Sequence, residues 1–229
     1  MKLDQYKPKQ NLNKKLWQSE DKLKDDVREA LLQIANDFIE ELDVDIRYDD
    51  IIFTGSLANY NYNIYSDIDL HIIISGPKEN LDEDLFESFL AAKKKIWNDD
   101  HDIKIKGYEV EIYPELDPED HASSGVYSLQ KDVWVEKPDV FDAEPNLKAV
   151  SKKLRSVESL IDSVIDKNAT EIEIERTIDK LKKMRQTGLN ASGEMSVENI
   201  VYKILRNEGT LQNLFDELHS AYDKNLSLD

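Results

Sequence analysis

The chain has 229 residues, no cysteine, and 48 acidic against 30 basic side chains, which gives a formal net charge of −18. A chain without cysteine forms no disulfides and no thiolate metal sites, and no stretch approaches the roughly 20 apolar residues of a membrane-spanning helix. These properties exclude a disulfide-stabilised secreted domain and a membrane protein, and they predict a cytoplasmic globular protein.

The negative charge is concentrated in the first part of the chain. Residues 1–140 hold 17 Lys and Arg against 32 Asp and Glu, whereas residues 141–229 hold 13 against 16. Binding of long nucleic acid needs a basic surface, so we expect no binding of duplex DNA. A small nucleotide with a divalent cation is still compatible with this charge. We therefore expect a compact acceptor, or a locally docked one such as a tRNA end.

The N-terminal part predicts an arm followed by a helix. Residues 1–18 are polar and lysine-rich, and we expect them to pack through Leu12, Leu16 and Trp17. From about Ser19 to Leu42, apolar residues recur every three or four positions, which is typical of a helix with one buried face. The members of this stripe are Leu23, Val27, Leu31, Ile34 and Phe38.

Two apolar strands follow within Ile51–Ile74. The first ends in a Gly55-Ser56 step, whose small residues let backbone N–H groups approach an anion closely. The second begins with two aspartates, Asp67 and Asp69, which share one face because strand side chains alternate. Neighbouring carboxylates repel each other, and a divalent cation is the usual resolution. A phosphate cradle beside paired carboxylates predicts metal-assisted phosphoryl transfer.

The segment Asn59–Asn63, between the two strands, consists only of asparagine and tyrosine. Both residue types are common in exposed turns, which is the simpler interpretation. The alternative is that these side chains line the approach of a nucleotide.

The order Gly55-Ser56, ten residues, then Asp67-Ile68-Asp69-Leu70 resembles the motif of the DNA polymerase β-like nucleotidyltransferase superfamily. The resemblance covers residues 45–115. It implies an α+β fold, in which a mixed β-sheet with flanking helices occupies residues 1–140 and a helical domain occupies residues 141–229.

The superfamily needs a third carboxylate on a later neighbouring strand. Glu111, in Glu111-Ile112-Tyr113-Pro114, takes that position, and Glu109 is the alternative. The segment is similar to the third motif of the oligoadenylate synthetase-like branch. The family more often has aspartate at this position, so the longer glutamate is a departure from its pattern.

The resemblance implies an enzyme that transfers a nucleoside monophosphate from an NTP to an acceptor hydroxyl and releases pyrophosphate. Asp67, Asp69 and Glu111 would be the catalytic residues and would hold Mg²⁺ or Mn²⁺. The acceptor stays open among a small molecule, a nucleotide, an RNA 3′ end and a protein side chain. A catalytically inactive nucleotide-binding or partner-binding module on the same fold is the alternative.

Nucleotide contacts are implied from both halves of the chain. Gly55 and Ser56 would bind the β- and γ-phosphates through backbone N–H groups and the hydroxyl. In this branch a basic residue of the helical domain often meets the triphosphate. Lys203 and Arg206, three residues apart on one helix face, are the candidates, ahead of the denser basic group at 180–185.

The rest of the first half predicts one helix and further strands. Residues 81–97 predict a helix with Lys93–Lys95 toward solvent. Residues 101–106 predict a short strand, residues 125–135 a hairpin, and residues 117–124 a loop with His121. The inward positions of the helix are predicted as Leu85, Phe89, Ala92 and Ile96.

The second half predicts helices only. Prolines and acidic residues at 137–145 predict a domain seam. Two glycines and an asparagine at 187–193 predict a loop between helices, and a last helix begins near Ser196, with a kink at Gly209.

Overall fold

The computed structural model describes residues 3–77, 82–116, 125–142, 144–165 and 169–228. The chain divides into two compact units. The sheet unit is Pro8–Phe141, and the helical unit is Asp142–Asp229 with Met1–Lys7. The predicted loop at 117–124, with His121, lies outside the described residues. Over the described part of the chain, no helix combines the length and the apolar character needed to cross a membrane.

The sheet unit contains a small hairpin, a mixed sheet and two helices. In the larger sheet the strand order is β5-β6-β4-β3-β7-β8, and only the β4–β6 pair is parallel among the described strands. The elements, in chain order, are β1 Trp17–Ser19, β2 Lys22–Leu23, α1 Asp25–Glu41, β3 Ile46–Thr54, β4 Ile68–Pro77, α2 Glu83–Asp100, β5 Lys104–Ile105, β6 Tyr108–Glu115, β7 Val126–Ser128 and β8 Val133–Glu136.

One face of the large sheet forms the core of this unit. Along β4, Ile68, Leu70 and Ile72 are fully buried, whereas the residues between them are only partly buried. Both helices contribute to the same core, where Phe38 of α1 meets Trp97 of α2 edge to face with ring centroids 5.5 Å apart. The alternation of β4 therefore leaves its polar side chains on the opposite face.

The N-terminal arm packs as predicted, and the helix after it starts later than predicted. Leu12, Leu16 and Trp17 are buried in the sheet-unit core. Residues 17–23 form the β1–β2 hairpin, so Leu23 is buried in a strand and α1 starts at Asp25. The apolar stripe from Val27 to Phe38 is confirmed as the buried face of α1.

The predicted inward face of α2 is wrong for Leu85, Ala92 and Ile96. It is confirmed only for Phe89, which packs partly buried against the core. Leu85 and Ile96 are 65% and 51% exposed, and Phe86, Leu90 and Trp97 are the buried residues instead. Both sets satisfy helical spacing, so the surface on which α2 packs selects between them. The predicted hairpin at 125–135 is confirmed, since β7 and β8 pair antiparallel and extend the sheet beside β3.

The helical unit contains α3 Leu147–Ile165, α4 Glu171–Ser192, α5 Val197–Asn207 and α6 Thr210–Leu226. The loop predicted at 187–193 is wrong, because α4 continues to Ser192. Gly188 is buried inside this helix, where an added Cβ would lie 2.6 Å from Glu198 Cβ and 2.9 Å from Ser196 Oγ. This glycine therefore allows close packing of α4 against the start of α5. The single last helix predicted is two helices, separated at Gly209, which has φ +77°.

Candidate active site

Three strands bring the candidate carboxylates to one end of the sheet. β3 ends there with Thr54. β4 and β6 begin at the same end, because they are parallel to each other and antiparallel to β3. In this register Asp69 lies opposite Thr54 on one side and opposite Glu111 on the other. Asp67 immediately precedes β4. Strand pairing alone therefore places the three acidic residues together.

The site consists of Asp67, Asp69 and Glu111, which we call the carboxylate triad. Each contributes one oxygen to a group whose members all lie within 4.8 Å of one another, and each residue is partly buried. Three hard oxygen donors in one cluster match the preference of Mg²⁺ and Mn²⁺ for carboxylate ligands. Glu109 lies elsewhere, with its carboxylate 3.3 Å from Lys104 Nζ. The geometry thus favours Glu111 over Glu109 as the third carboxylate.

Gly55 lies directly against the triad. Its φ is +80°, a region that glycine adopts without strain. A Cβ at this position would collide with Oδ2 of Asp69 and would lie 3.2 Å from its Cβ. Only glycine therefore lets the end of β3 pass so close to the second aspartate. The Asp69 carboxylate occupies the space that a Cβ would fill, so this glycine brings the Gly-Ser step into direct contact with the triad.

The loop between the Gly-Ser step and the first aspartate is closed by serine side chains. The Ser56 hydroxyl donates to Ser66 Oγ at 2.7 Å, and Ser66 Oγ also accepts the Asn63 N–H at 2.9 Å. Ser66 immediately precedes Asp67. The two ends of the loop are therefore joined next to the triad, which explains why ten intervening residues still place Ser56 beside it.

The segment Asn59–Asn63 does not form an exposed turn. Asn59, Tyr60 and Asn61 are buried. The Asn59 side chain accepts the Tyr60 N–H at 2.7 Å, and the Tyr60 hydroxyl donates to Glu20 at 2.5 Å. Burial, reinforced by this carboxylate, raises the pKa of Tyr60. These contacts anchor the loop in the sheet unit, so the exposed-turn prediction is wrong for its first three residues.

A second polar layer lies below the triad on the same face. The Tyr113 hydroxyl donates to Glu111 Oε2, and the Tyr113 ring stacks on His71 with centroids 4.7 Å apart. His71 Nδ1 in turn lies 2.7 Å from Glu115 Oε1. Burial and the neighbouring Glu111 carboxylate raise the pKa of Tyr113, so its hydroxyl stays a donor. This layer fixes one oxygen of the third carboxylate.

Lys94 of α2 is the cation nearest to this layer among the described contacts. Its Nζ lies 3.9 Å from the centroid of the Tyr113 ring, a cation–π arrangement. Burial lowers the pKa of Lys94, and the Glu111, Glu115 and Asp69 carboxylates oppose that shift. The prediction that 93–95 all point to solvent is therefore wrong for Lys94.

Asn98 of α2 holds the strand that carries Glu111. Its side-chain amide donates to the Ile112 carbonyl at 3.1 Å and accepts the Ile112 N–H at 3.0 Å. The amide thus acts like one residue of a neighbouring strand on the edge of β6. Because Ile112 directly follows Glu111, Asn98 is positioned to fix the backbone at the third carboxylate.

Lys203 and Arg206 belong to the helical unit, and the triad belongs to the sheet unit. Lys203 Nζ lies 3.6 Å from the Glu194 carboxylate, and both side chains are mostly buried. Burial lowers the pKa of Lys203, opposed by Glu194 and reinforced by the charges of Arg206 and Arg185. Burial likewise raises the pKa of Glu194, and Lys203 opposes that shift.

The sequence places His71 on the strand face of Asp67 and Asp69 without indicating a role for it, and three further residues around the triad were missed. His71 and Tyr113 carried a usable signal, because they follow Asp69 and Glu111 by two positions and therefore share their faces. For Lys94 and Asn98 the sequence shows only that they share one face of the predicted helix, since they lie four residues apart. Only the packing of α2 against β6 shows that this face meets the site.

The mixed sheet, the glycine turn and the triad together define the class of polymerase β-like nucleotidyltransferase folds. A family model for the nucleotidyltransferase domain matches residues 32–187, which is more than half of the chain. The chain therefore belongs to the nucleotidyltransferase domain family. No curated protein and no solved structure matches the chain.

Proposed function

We propose that the protein transfers a nucleoside monophosphate from an NTP to an acceptor hydroxyl, with release of pyrophosphate. One observation carries the proposal: Asp67, Asp69 and Glu111 converge within 4.8 Å at the strand ends where Gly55 of the Gly-Ser step lies directly against Asp69. Membership of the nucleotidyltransferase domain family supports the same reaction class.

The triad fits Mg²⁺ or Mn²⁺, and its three carboxylates would hold the ion. When bound, the metal supplies charge neutralisation at the phosphates and lowers the pKa of the acceptor hydroxyl. Without a cation, three carboxylates at this spacing repel one another and the triphosphate. The acidic site therefore implies binding of nucleotide and metal together.

We assign the remaining steps to residues of the chain itself. The Gly55-Ser56 step would bind the β- and γ-phosphates, with the Ser56 hydroxyl switching from Ser66 to a phosphate oxygen. Glu111 is oriented by Tyr113 at Oε2, which leaves Oε1 to accept the proton of the acceptor hydroxyl. Lys203 and Arg206 stay the proposed triphosphate contacts of the helical unit, and Lys203 would have to exchange the Glu194 carboxylate for a phosphate oxygen.

The identity of the third motif supports a nucleotide or RNA acceptor. The Glu111-Ile112-Tyr113-Pro114 segment is similar to that of the oligoadenylate synthetase-like branch. We infer that the chain belongs to that branch, with glutamate in place of the more usual aspartate.

The test is incubation with Mg²⁺ or Mn²⁺ and each α-labelled NTP, with total RNA, tRNA or protein extract as acceptor. The parent should release pyrophosphate and form a labelled product, and Asp67→Ala/Asp69→Ala should form none. Glu111→Gln and Glu109→Gln form a matched pair on one strand. The first should lower turnover at least about a hundredfold, and the second should leave it near the parent level. Absence of turnover in the parent with every NTP and acceptor would contradict the proposal.

A further inference from the structure

The N-terminal segment Pro8–Lys15, which we call the basic arm, contrasts with the rest of an acidic chain. It contains three lysines, Lys9, Lys14 and Lys15, and no acidic residue, although the whole chain has a net charge of −18. The arm is well anchored, since the Lys9 N–H donates to the Tyr60 carbonyl at 2.6 Å and Leu12 is only 2% exposed. Its lysines are therefore presented from a fixed backbone.

The basic arm and Tyr62 together line a cavity of about 570 Å³. Lys14 and Lys15 are exposed at its wall, and the side chains of Gln10 and Asn11 add amide donors and acceptors. The Tyr62 hydroxyl donates to the Asn11 carbonyl at 3.2 Å, which joins the aromatic ring to the arm. The cavity thus combines cations, amides and an aromatic side chain.

The basic arm lies at the same end of the sheet as the triad. Asn13 Nδ2 donates to the Tyr108 hydroxyl at 2.8 Å, and Tyr108 begins β6 three residues before Glu111. Tyr62 precedes Asp67 by five residues, and five extended residues span at most about 18 Å. A ligand in the cavity is therefore within a few nucleotides' length of the triad.

This combination of groups matches the chemistry of single-stranded nucleic acid. Lysines bind phosphates without reading sequence, and an aromatic ring with amide groups binds the faces and edges of unpaired bases. Three lysines provide only a local positive surface, which agrees with an acceptor that docks by one short segment. A duplex would also meet the acidic surface around the arm.

We propose that the basic arm and Tyr62 bind the strand of a single-stranded nucleic-acid acceptor whose 3′ hydroxyl reaches the triad. This inference rests on the proposed nucleotidyl transfer and specifies its acceptor class. RNA and DNA strands share the phosphate chemistry, so both belong in the test.

The test is fluorescence anisotropy with a labelled single-stranded RNA dodecamer, in a potassium chloride series without divalent metal. Three phosphate contacts predict a slope of log affinity against log salt of about −2, since each contact on a single strand contributes roughly −0.7. Lys14→Ala/Lys15→Ala should bind more weakly and reduce the slope to about −0.7. Lys148→Ala/Lys152→Ala, which removes the same charge from exposed positions of α3, should keep the parent slope.

Two further measurements separate this inference from the proposed function. Asp67→Ala/Asp69→Ala should bind the RNA at least as well as the parent, since binding by the arm does not need the triad. A DNA strand of equal sequence should bind with the same slope of log affinity against log salt, because both backbones present the same phosphates to the lysines.

Three results would overturn the inference. The first is no RNA or DNA binding by the parent, and the second is an equal loss in the Lys148/Lys152 control. The third is a Lys14/Lys15 variant that loses affinity for free NTP and not for the strand. In each case NTP turnover by the parent would leave the proposed function intact.

Discussion

The two units differ in how the negative charges of their partly buried carboxylates are compensated. In the sheet unit, the triad gathers three carboxylates within 4.8 Å, and Lys94, the nearest cation among the described contacts, lies over the Tyr113 ring one layer below. In the helical unit, one carboxylate, Glu194, lies 3.6 Å from Lys203, and two arginines act on the same lysine. The first cluster brings like charges together, whereas the second pairs a carboxylate with a cation.

This difference shows what each cluster requires. Like charges held close together cost free energy, and the triad recovers it only when a cation binds. The Glu194–Lys203 pair is compensated within the fold and needs no ion from solution. We therefore expect substitutions in the two clusters to change stability with opposite signs.

The largest effect is expected from the helical cluster. Glu194→Gln leaves Lys203 buried without its carboxylate and should lower the free energy of unfolding by about 3 kcal/mol. Urea denaturation followed by far-UV circular dichroism measures this, because all three tryptophans lie in the sheet unit. The double variant Glu194→Leu/Lys203→Met should recover most of the loss. A double variant as unstable as the single one would show that the pair does not act as a unit.

The next effect tests the support of the triad. Asn98→Ala removes both hydrogen bonds to the Ile112 backbone and should lower the free energy of unfolding by about 2 kcal/mol. It should also weaken Mn²⁺ binding measured by calorimetry, since Ile112 follows Glu111. Asn98→Asp, which places a second carboxylate oxygen against the Ile112 carbonyl oxygen, should be at least as unstable as the alanine variant. Unchanged Mn²⁺ affinity in both variants would remove Asn98 from the site.

A smaller effect of opposite sign is expected in the triad itself. Asp67→Asn relieves repulsion and should raise the free energy of unfolding without metal by about 0.5 kcal/mol. Saturating Mg²⁺ should raise the melting temperature of the parent and much less that of the variant. Differential scanning fluorimetry with and without EDTA measures both. Destabilisation of the metal-free variant would contradict the comparison between the clusters.

The smallest effect concerns a partly exposed pair beside Gly188. Lys153 Nζ lies 3.0 Å from the Glu198 carboxylate, and this hydrogen bond lowers the pKa of Glu198 below its ordinary value of 4.5. The stabilisation is thus present above that ordinary value and is lost as the pH falls through the lower folded-state value. Glu198→Gln should destabilise by at most about 0.5 kcal/mol at pH 7 and be neutral near pH 3. A loss that persists at pH 3 would assign the effect to packing.

The strand and carboxylate pattern of the site could be predicted because it depends on local rules. Alternation along a strand places Asp67 and Asp69 on one face. Glu111 was predicted from the family resemblance, which implies a third carboxylate on a later neighbouring strand. The glycine before Ser56 is equally local, since its left-handed conformation belongs to a single turn. The helical second half follows from periodicity in the same way, whereas the mixed sheet was implied by the resemblance to the nucleotidyltransferase superfamily.

Packing decided the features that sequence analysis missed. Two sets of apolar residues in α2 fit helical spacing, and packing against the sheet buries the set that includes Phe86 and Leu90. Glycine usually disfavours a helix, but Gly188 lies inside α4, where the lack of a side chain lets α4 pack closely against α5. Asn59 and Asn61 are polar and still buried, because partners distant in sequence receive the loop that carries them. None of these partners can be identified from a local pattern.

The β4–β6 pairing has a consequence for the order in which the chain folds. β3 and β4 are close in sequence and pair antiparallel, so a hairpin can form early and already carries Asp67 and Asp69. Glu111 joins them only after α2 has crossed over and β6 has paired in parallel with β4. A refolding intermediate that holds only the hairpin would therefore bind divalent metal weakly. During refolding, metal affinity should therefore recover only when β6 pairs with β4, which is later than the burial of the hairpin. Time-resolved metal binding would measure this step.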